Sequence, residues 1–193
     1  GFLNPANNSG GASFGLFVAL PAGGSLVALP SEDISTARVQ VIHNSADAVA
    51  EEVDVYLNDV LLLDNFAFRT ATPFVDVQAG VDFTVSIVPA NSTSVDDAIV
   101  DFTYNLPANS KFILVANGIV SAEGYSPSIG FDIYPYGMGR EVATNASNTD
   151  VLVFHGSTDA PEVTVWEIGA GAGELFTFEY GDFEGYLELP TAN

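Results

Sequence analysis

Apolar and polar residues alternate with a period of two along most of this chain. Val39, Val41 and His43 fall on one face of a run whose other face holds Arg38, Gln40 and Ile42. Val53, Val55 and Leu57 alternate with Asp54 and Tyr56, Phe83, Val85 and Ile87 with Thr84 and Ser86. Val100, Phe102 and Tyr104 alternate with Asp101 and Thr103, and Ile129, Phe131 and Ile133 with Gly130 and Asp132. This period puts the apolar side chains on one side of a pleated strand, as a half-buried sheet requires. Lys111–Ala116 is apolar throughout after its lysine and predicts a central strand covered on both faces. Turn formers separate the runs: Pro21-Ala22-Gly23-Gly24, Asn58-Asp59, Ala79-Gly80, Pro89-Ala90-Asn91 and Pro107-Ala108-Asn109. About seven to nine short strands per ~110 residues, without an amphipathic helix, predict an all-β fold of immunoglobulin-like β-sandwich modules. Val39, Val41, Val53, Val55, Phe83, Val85, Phe102, Ile113 and Phe131 are the expected core.

Two stretches repeat one another. Ala37–Leu57 reads ARVQVIHNSADAVAEEVDVYL and Asp150–Glu167 reads DVLVFHGSTDAPEVTVWE, with His43 and His155 lying 112 residues apart. The correspondence extends outward: Phe14–Gly24 matches Ile129–Gly139, Phe66–Val77 matches Phe178–Leu189, and Gly1-Phe2-Leu3 falls opposite Gly118-Ile119-Val120. A fixed period of this length predicts a tandem array of one module. Residues 1–36 then correspond to the late strands of a module, 37–144 to a complete one, and 145–193 to the early strands of the next. Such a register fits a segment of a longer array, or ends completed by neighbouring molecules.

The motif His43-x-Ser45-x-Asp47-Ala48, followed by Val53-Asp54-Val55-Tyr56 and Asn58, resembles the bacterial domain-of-unknown-function 4397 family. The second repeat carries His155, Ser157, Asp159, Ala160, Pro161, Val163, Val165 and Trp166 in the same order. Ala46 and Thr158 stand where that family favours proline, and Ala50–Glu52 is inserted. The resemblance implies a secreted or surface β-sandwich, often in tandem, with no established activity.

Composition narrows the function. The 193 residues are 48% hydrophobic, enough for a sizeable core, and carry 25 acidic against 4 basic residues, for a net charge of −21. That charge excludes nucleic acid, whose phosphates need Lys and Arg, and argues against anionic membrane surfaces. Cysteine is absent, so disulfides, thiolate zinc sites and a cysteine nucleophile are excluded. No apolar run approaches the ~20 residues of a membrane helix. An exported chain is expected to have shed its leader.

Candidate chemistry is sparse. The His/Asp turns, His43 with Asp47 and His155 with Asp159, read as structural corners, with each aspartate closing an Asx-turn at a strand end. Asp47, Glu51, Glu52 and Asp54 cluster along one loop and strand, and calcium is the ion that such oxygens would take. Gly11-Ala12-Ser13-Phe14-Gly15 fits Gly-x-Ser-x-Gly but leads into a β run rather than the helix a nucleophile elbow needs. Gly169–Gly173 alternates glycine and alanine without a following helix, which predicts a hairpin connection. Tyr56 and Trp166 take the outward register, with Tyr134 and Tyr136 near a turn, and predict packing between modules or subunits, or a glycan-stacking face. Asn7, Asn91 and Asn145 open Asn-x-Ser/Thr sequons in predicted loops.

No nucleophile, base and orienting group emerge together, so the chain reads as non-enzymatic. The expectation is an extracellular or cell-surface structural protein of bacterial type: a subunit or segment of a filament, sheath or adhesin. It would assemble with copies of itself or with neighbouring repeats. Phe14, Leu16, Val18 and Leu20 at one end, and Val151 and Val153 at the other, are the candidate assembly strands. The alternative is a carbohydrate- or calcium-binding module of a larger secreted protein.

Overall fold

The computed structural model describes residues 17–19, 21–28, 34–169 and 171–191. The chain divides into two compact units, residues 1–34 and 35–193. In the first, β1 (Phe17–Val18) and β2 (Val27–Ala28) pair antiparallel across the Pro21–Gly24 turn, and Phe17, Val18, Leu26 and Val27 are all exposed. Of the candidate assembly positions at this end, Phe14, Leu16 and Leu20 lie outside the described residues.

The second unit opens with β3 (Thr36–His43), β4 (Glu52–Leu57), β5 (Val60–Ala67), β6 (Thr70–Ala71) and β7 (Val75–Gln78). It continues through β8 (Phe83–Pro89), β9 (Val100–Tyr104), β10 (Lys111–Asn117) and β11 (Asp132–Tyr136). These form two sheets. In one, β3 is flanked by β10, its parallel partner, and on its other edge by β7 and then β6, with β11 outside β10. The other is antiparallel, in the order β5-β4-β8-β9.

The core fills the space between the sheets, as expected of a β-sandwich. Ala37, Val39, Leu114, Ala116 and Ile133 from one sheet meet Val53, Val55, Phe83, Val85 and Ile87 from the other. Val41, Phe102 and Phe131 pack against this cluster while half-buried.

Ile113 departs from expectation. It is buried, but on the opposite face of β10, while Leu114 and Ala116 point into the sandwich. A run apolar at every position gives no period from which to choose a face. The central placement and double cover of this strand are as its composition predicts.

The remaining strands are β12 (Asn148–Phe154), β13 (Val163–Glu167), β14 (Gly173–Phe178) and β15 (Phe183–Pro190). They form two antiparallel pairs, β12 with β15 and β13 with β14. The first pair covers the outer face of the β3–β10–β11 sheet. Leu152, Phe154 and Phe183 come down beside Ile42, Ile113 and Val115. Tyr134 contacts the Phe154 ring at 5.2 Å and Tyr136 the Phe183 ring at 5.3 Å. Arg140 pins the edge, binding Asp150 at 2.7 Å and Glu188 at 3.1 Å with its guanidinium over Tyr186. These strands lie with β3–β11 in the one compact unit of residues 35–193.

Candidate functional site

The two His/Asp turns are the most distinctive local structures, and they differ in how far they are completed. At the end of β3, alternation turns His43 inward, and the side chain is 1% exposed. Its Nε2 donates to the Ala50 carbonyl at 2.7 Å, which leaves Nδ1 as the bare nitrogen, buried and without a partner among the described residues. Phe66 and Phe68 enclose the ring at 5.8 and 6.3 Å. Burial pushes the His43 pKa below its ordinary value, against a weaker opposing pull from the Ala50 carbonyl. The imidazole is thus a neutral fastener between the strand end and the turn.

Asp47 does more. Its Oδ1 accepts from the Val49 amide at 3.0 Å, capping the short 3-10 turn Ala48–Ala50, and from the Ser121 hydroxyl at 2.8 Å. Its Oδ2 accepts from the amides of Val120 at 2.8 Å and Ser121 at 2.6 Å. Burial alone would raise the carboxyl pKa, but these donors outweigh it and the net shift is downward. Ser45, also buried, donates to the Gly118 carbonyl at 2.7 Å. The early turn is thereby tied to the segment that follows β10.

The second turn repeats the histidine but not these ties. His155 Nε2 donates to the Pro161 carbonyl at 3.0 Å, and its ring contacts Phe178 and Tyr180 as His43 contacts Phe66 and Phe68. The following backbone matches as well: Arg69 N donates to His43 O and Gly181 N to His155 O, both at 2.8 Å. Asp159, in contrast, is exposed, and its Oδ1 accepts from the hydroxyl of exposed Ser157 at 2.8 Å.

What fastens the second turn is Asn117, at the end of β10 and 1% exposed. Its amide nitrogen donates to the Gly156 carbonyl and the Tyr180 hydroxyl, both at 2.9 Å, while its oxygen accepts from Asn44 at 2.9 Å. Gly156 suits this approach, because a Cβ there would displace the Asn44 amide and crowd the Phe154 ring. Asn117, Tyr180 and Ser121 escape a sequence reading. Their one signal is that Gly118-Ile119-Val120 recurs opposite Gly1-Phe2-Leu3, which marks the segment as part of the module.

The acidic group does not converge. The Asp47 carboxylate is occupied as described, buried Asp54 accepts from the Asn65 amide at 2.8 Å, and Glu51 and Glu52 point to solvent. Among the described residues, no group of three or more His, Asp or Glu side chains is placed to hold a metal ion. Sequence neighbours on a turn and a strand diverge because alternate strand residues point to opposite faces.

Other candidates distribute as follows. Tyr56 is buried, contrary to its expected exposure, and Trp166 is 59% exposed. Tyr134 and Tyr136 pack against the second repeat. Gly169–Gly173 connects β13 to β14, with residue 170 outside the description. The Gly11–Gly15 motif and Asn7 lie outside the described residues, whereas Asn91 and Asn145 are exposed. Val151 and Val153 are half-buried on the face of β12 turned away from the first sandwich.

An open groove lies beside the second turn. Val153, Val163, Val165 and Phe178 line a space of about 530 Å³ whose rim includes Phe68 and Arg69. In the first repeat the corresponding surface is closed, because β4 pairs on both edges, with β5 and β8, and β3 pairs with β7 and β10. Among the described residues β12 pairs only with β15, and β13 only with β14.

These features define a class, an all-β sandwich with a sealed His/Asp corner whose histidine contacts recur at a second turn. The profile of the family described as domain of unknown function (DUF4397) matches residues 37–135, and the chain belongs to that family. No curated protein matches the chain.

Proposed function

We propose that the chain is a non-enzymatic structural protein working outside the cell, as a subunit or segment of a surface filament, sheath or adhesin stalk built by strand complementation or head-to-tail packing. The observation that carries this reading is the pairing of β12 and β13, each with one partner strand among the described residues, β15 and β14, beside the apolar side chains of Val153, Val163 and Val165. Free β edges beside apolar side chains are templates for strand addition. A contact between different surfaces of successive molecules propagates unless it closes into a ring. The fastened histidines support a structural rather than catalytic role, since both rings bind backbone carbonyls. The acidic surface suits a protein that must stay soluble until it assembles.

The test is negative-stain microscopy with sedimentation of the purified chain over a range of concentrations. Rods or chains of stacked modules are expected. Monodisperse particles at every concentration would defeat the proposal, and glycan or calcium binding by such particles would favour a binding module instead.

A further inference from the structure

A groove on the outer face of the β5-β4-β8-β9 sheet gathers acceptors without a cation. Thr84 and Ser86 point outward from β8, because Val85 and Ile87 take the inward face, and Asp101 stands opposite Ser86 on β9. Two loops raise the walls. At the β4–β5 turn the Asn58 amide donates to the Thr84 carbonyl at 2.7 Å, and the Asn58 side-chain oxygen accepts from the Thr84 amide at 3.0 Å. These bonds set Asp59 at one rim. On the other side the chain between β8 and β9 folds back over the sheet, with the Ile99 amide donating to the Ile87 carbonyl at 2.7 Å. Ser94 caps the 3-10 turn Val95–Asp97 by accepting from the Asp96 amide at 3.2 Å, and Asp96 lines the groove there. The space between the walls is about 570 Å³.

The floor marks this groove as more than an acidic patch. Ser86 is 3% exposed and lines the groove, and its hydroxyl has no hydrogen-bond partner among the described residues. A buried hydroxyl is costly unless something in the groove bonds it. Asp59, Asp96 and Asp101 likewise enter no ion pair among the described residues. The chain has four basic residues, and none lines the groove. Arg38, Lys111 and Arg140 are held by other carboxylates, and Arg69 lies over the Phe68 ring. No three acidic side chains among the described residues are placed to share one metal ion, so these charges ring the groove without meeting at a point. Their complement is a ligand whose own charges are spread along its length. We infer that the groove binds an alkylammonium chain, a polyamine or a run of lysine side chains, with its ammonium groups on Asp59, Asp96 and Asp101 and one N–H donated to Ser86. An ammonium offers three donors and no acceptor, which suits a lining of carboxylates and hydroxyls. Every residue of the groove falls within 37–135, the stretch that the family profile matches, and nothing in it depends on how the chain assembles.

The test titrates spermidine and a trilysine peptide separately into the full-length protein and follows backbone amides by NMR. Salt of about 0.15 M screens diffuse attraction to the acidic surface beyond ~8 Å. Saturable shifts are expected at residues 58–59, 84–86 and 95–101. Asp101→Asn should weaken binding about fivefold, the weight of one partly exposed ion pair, and Ser86→Ala should also weaken it. Glu123→Gln, which removes an exposed charge outside the groove, should leave it unchanged. Matching thermal melts keep the variants comparable. Tighter binding of spermidine would identify a free polyamine as the ligand, and tighter binding of trilysine a basic partner segment. Shifts scattered over the acidic surface, undiminished binding by Asp101→Asn, or equal weakening by Glu123→Gln would overturn the inference. Calcium moving the same amides at lower concentration than either ammonium would overturn it in favour of a metal site.

Discussion

At His43 the Ser45 and Asp47 side chains are held by Gly118–Ser121, whereas at His155 the Ser157 hydroxyl is spent on Asp159. The histidines themselves are used alike, each donating to a carbonyl of its own turn and each packed on two rings of the returning strand. The difference separates two tasks within one short motif. The histidine corner draws only on the first strands of a module, so it forms wherever those strands fold. The aspartate draws on the segment after β10 and joins the early half of the sandwich to the late half. The second turn, with its histidine bonded and its aspartate exposed, therefore shows which contacts are local to the motif and which come from a distant segment.

Replacement of the two aspartates should break the symmetry most sharply. Asp47→Ala strands three amide donors and a hydroxyl at a buried position, and should cost roughly 3–5 kcal/mol. Asp159→Ala removes one exposed bond and should stay within about 0.5 kcal/mol. Urea unfolding of both variants checks this. Equal losses would show that the second turn is closed in solution and would remove the contrast.

Asn117 tests whether the second repeat depends on the first. Asn117→Ala deletes the bonds to Gly156, Tyr180 and Asn44 and should cost about 1–3 kcal/mol. Hydrogen exchange should accelerate chiefly in β12–β15, because these strands lie outside the two-sheet core. Uniform acceleration across β3–β11 would instead assign Asn117 to the stability of the first sandwich.

Much of this arrangement is legible in the sequence, for reasons that particular residues make plain. Val53, Val55, Phe83 and Val85 alternate with polar neighbours, so their inward face is fixed by period alone. Ile113 has no such neighbours, and only the packing of Leu152 and Phe154 onto its sheet decides where it points. The His/Asp motif is visible because it repeats, yet its sequence is nearly the same whether Asp47 is sealed or Asp159 is open. That distinction lies in contacts across 73 residues, made through the backbone amide of Val120, which carry no side-chain signature. The carboxylates near Asp47 look clustered in one dimension, and strand alternation disperses them in three.

Protonation separates the two functions of the first turn. The His43 pKa is lowered by burial from 6.5, so above that value both folded and unfolded chains carry neutral imidazole and its contribution is fully present. As the pH falls below 6.5 the unfolded chain takes up the proton first, and stability declines until the folded pKa is reached. The Asp47 shift has the same sign but acts only below 3.8. Thermal melts should show a decline beginning near pH 6.5 and a second, separate decline below pH 4. A melting temperature flat between pH 7 and 5 would show that His43 is not sealed.

A smaller contrast concerns the residue after each aromatic that faces the histidine. Arg69 and Gly181 both have positive φ, 65° and 87°, and both donate their amide to the preceding histidine carbonyl. Only glycine adopts this region without cost from Cβ, so Arg69→Gly should relieve strain. The greater freedom of glycine in the unfolded chain offsets part of the gain, leaving about 0.5–1 kcal/mol of stabilisation. The reverse change is unequal, because a Cβ at Gly181 meets the Tyr134 ring at 2.8 Å. Gly181→Ala should therefore destabilise, and by more than Arg69→Gly stabilises. Urea unfolding of the two variants checks this, with a stabilised Arg69→Gly expected beside a destabilised Gly181→Ala. An Arg69→Gly variant less stable than the wild type would mean that the stacking of the guanidinium on Phe68 outweighs the strain of the left-handed backbone.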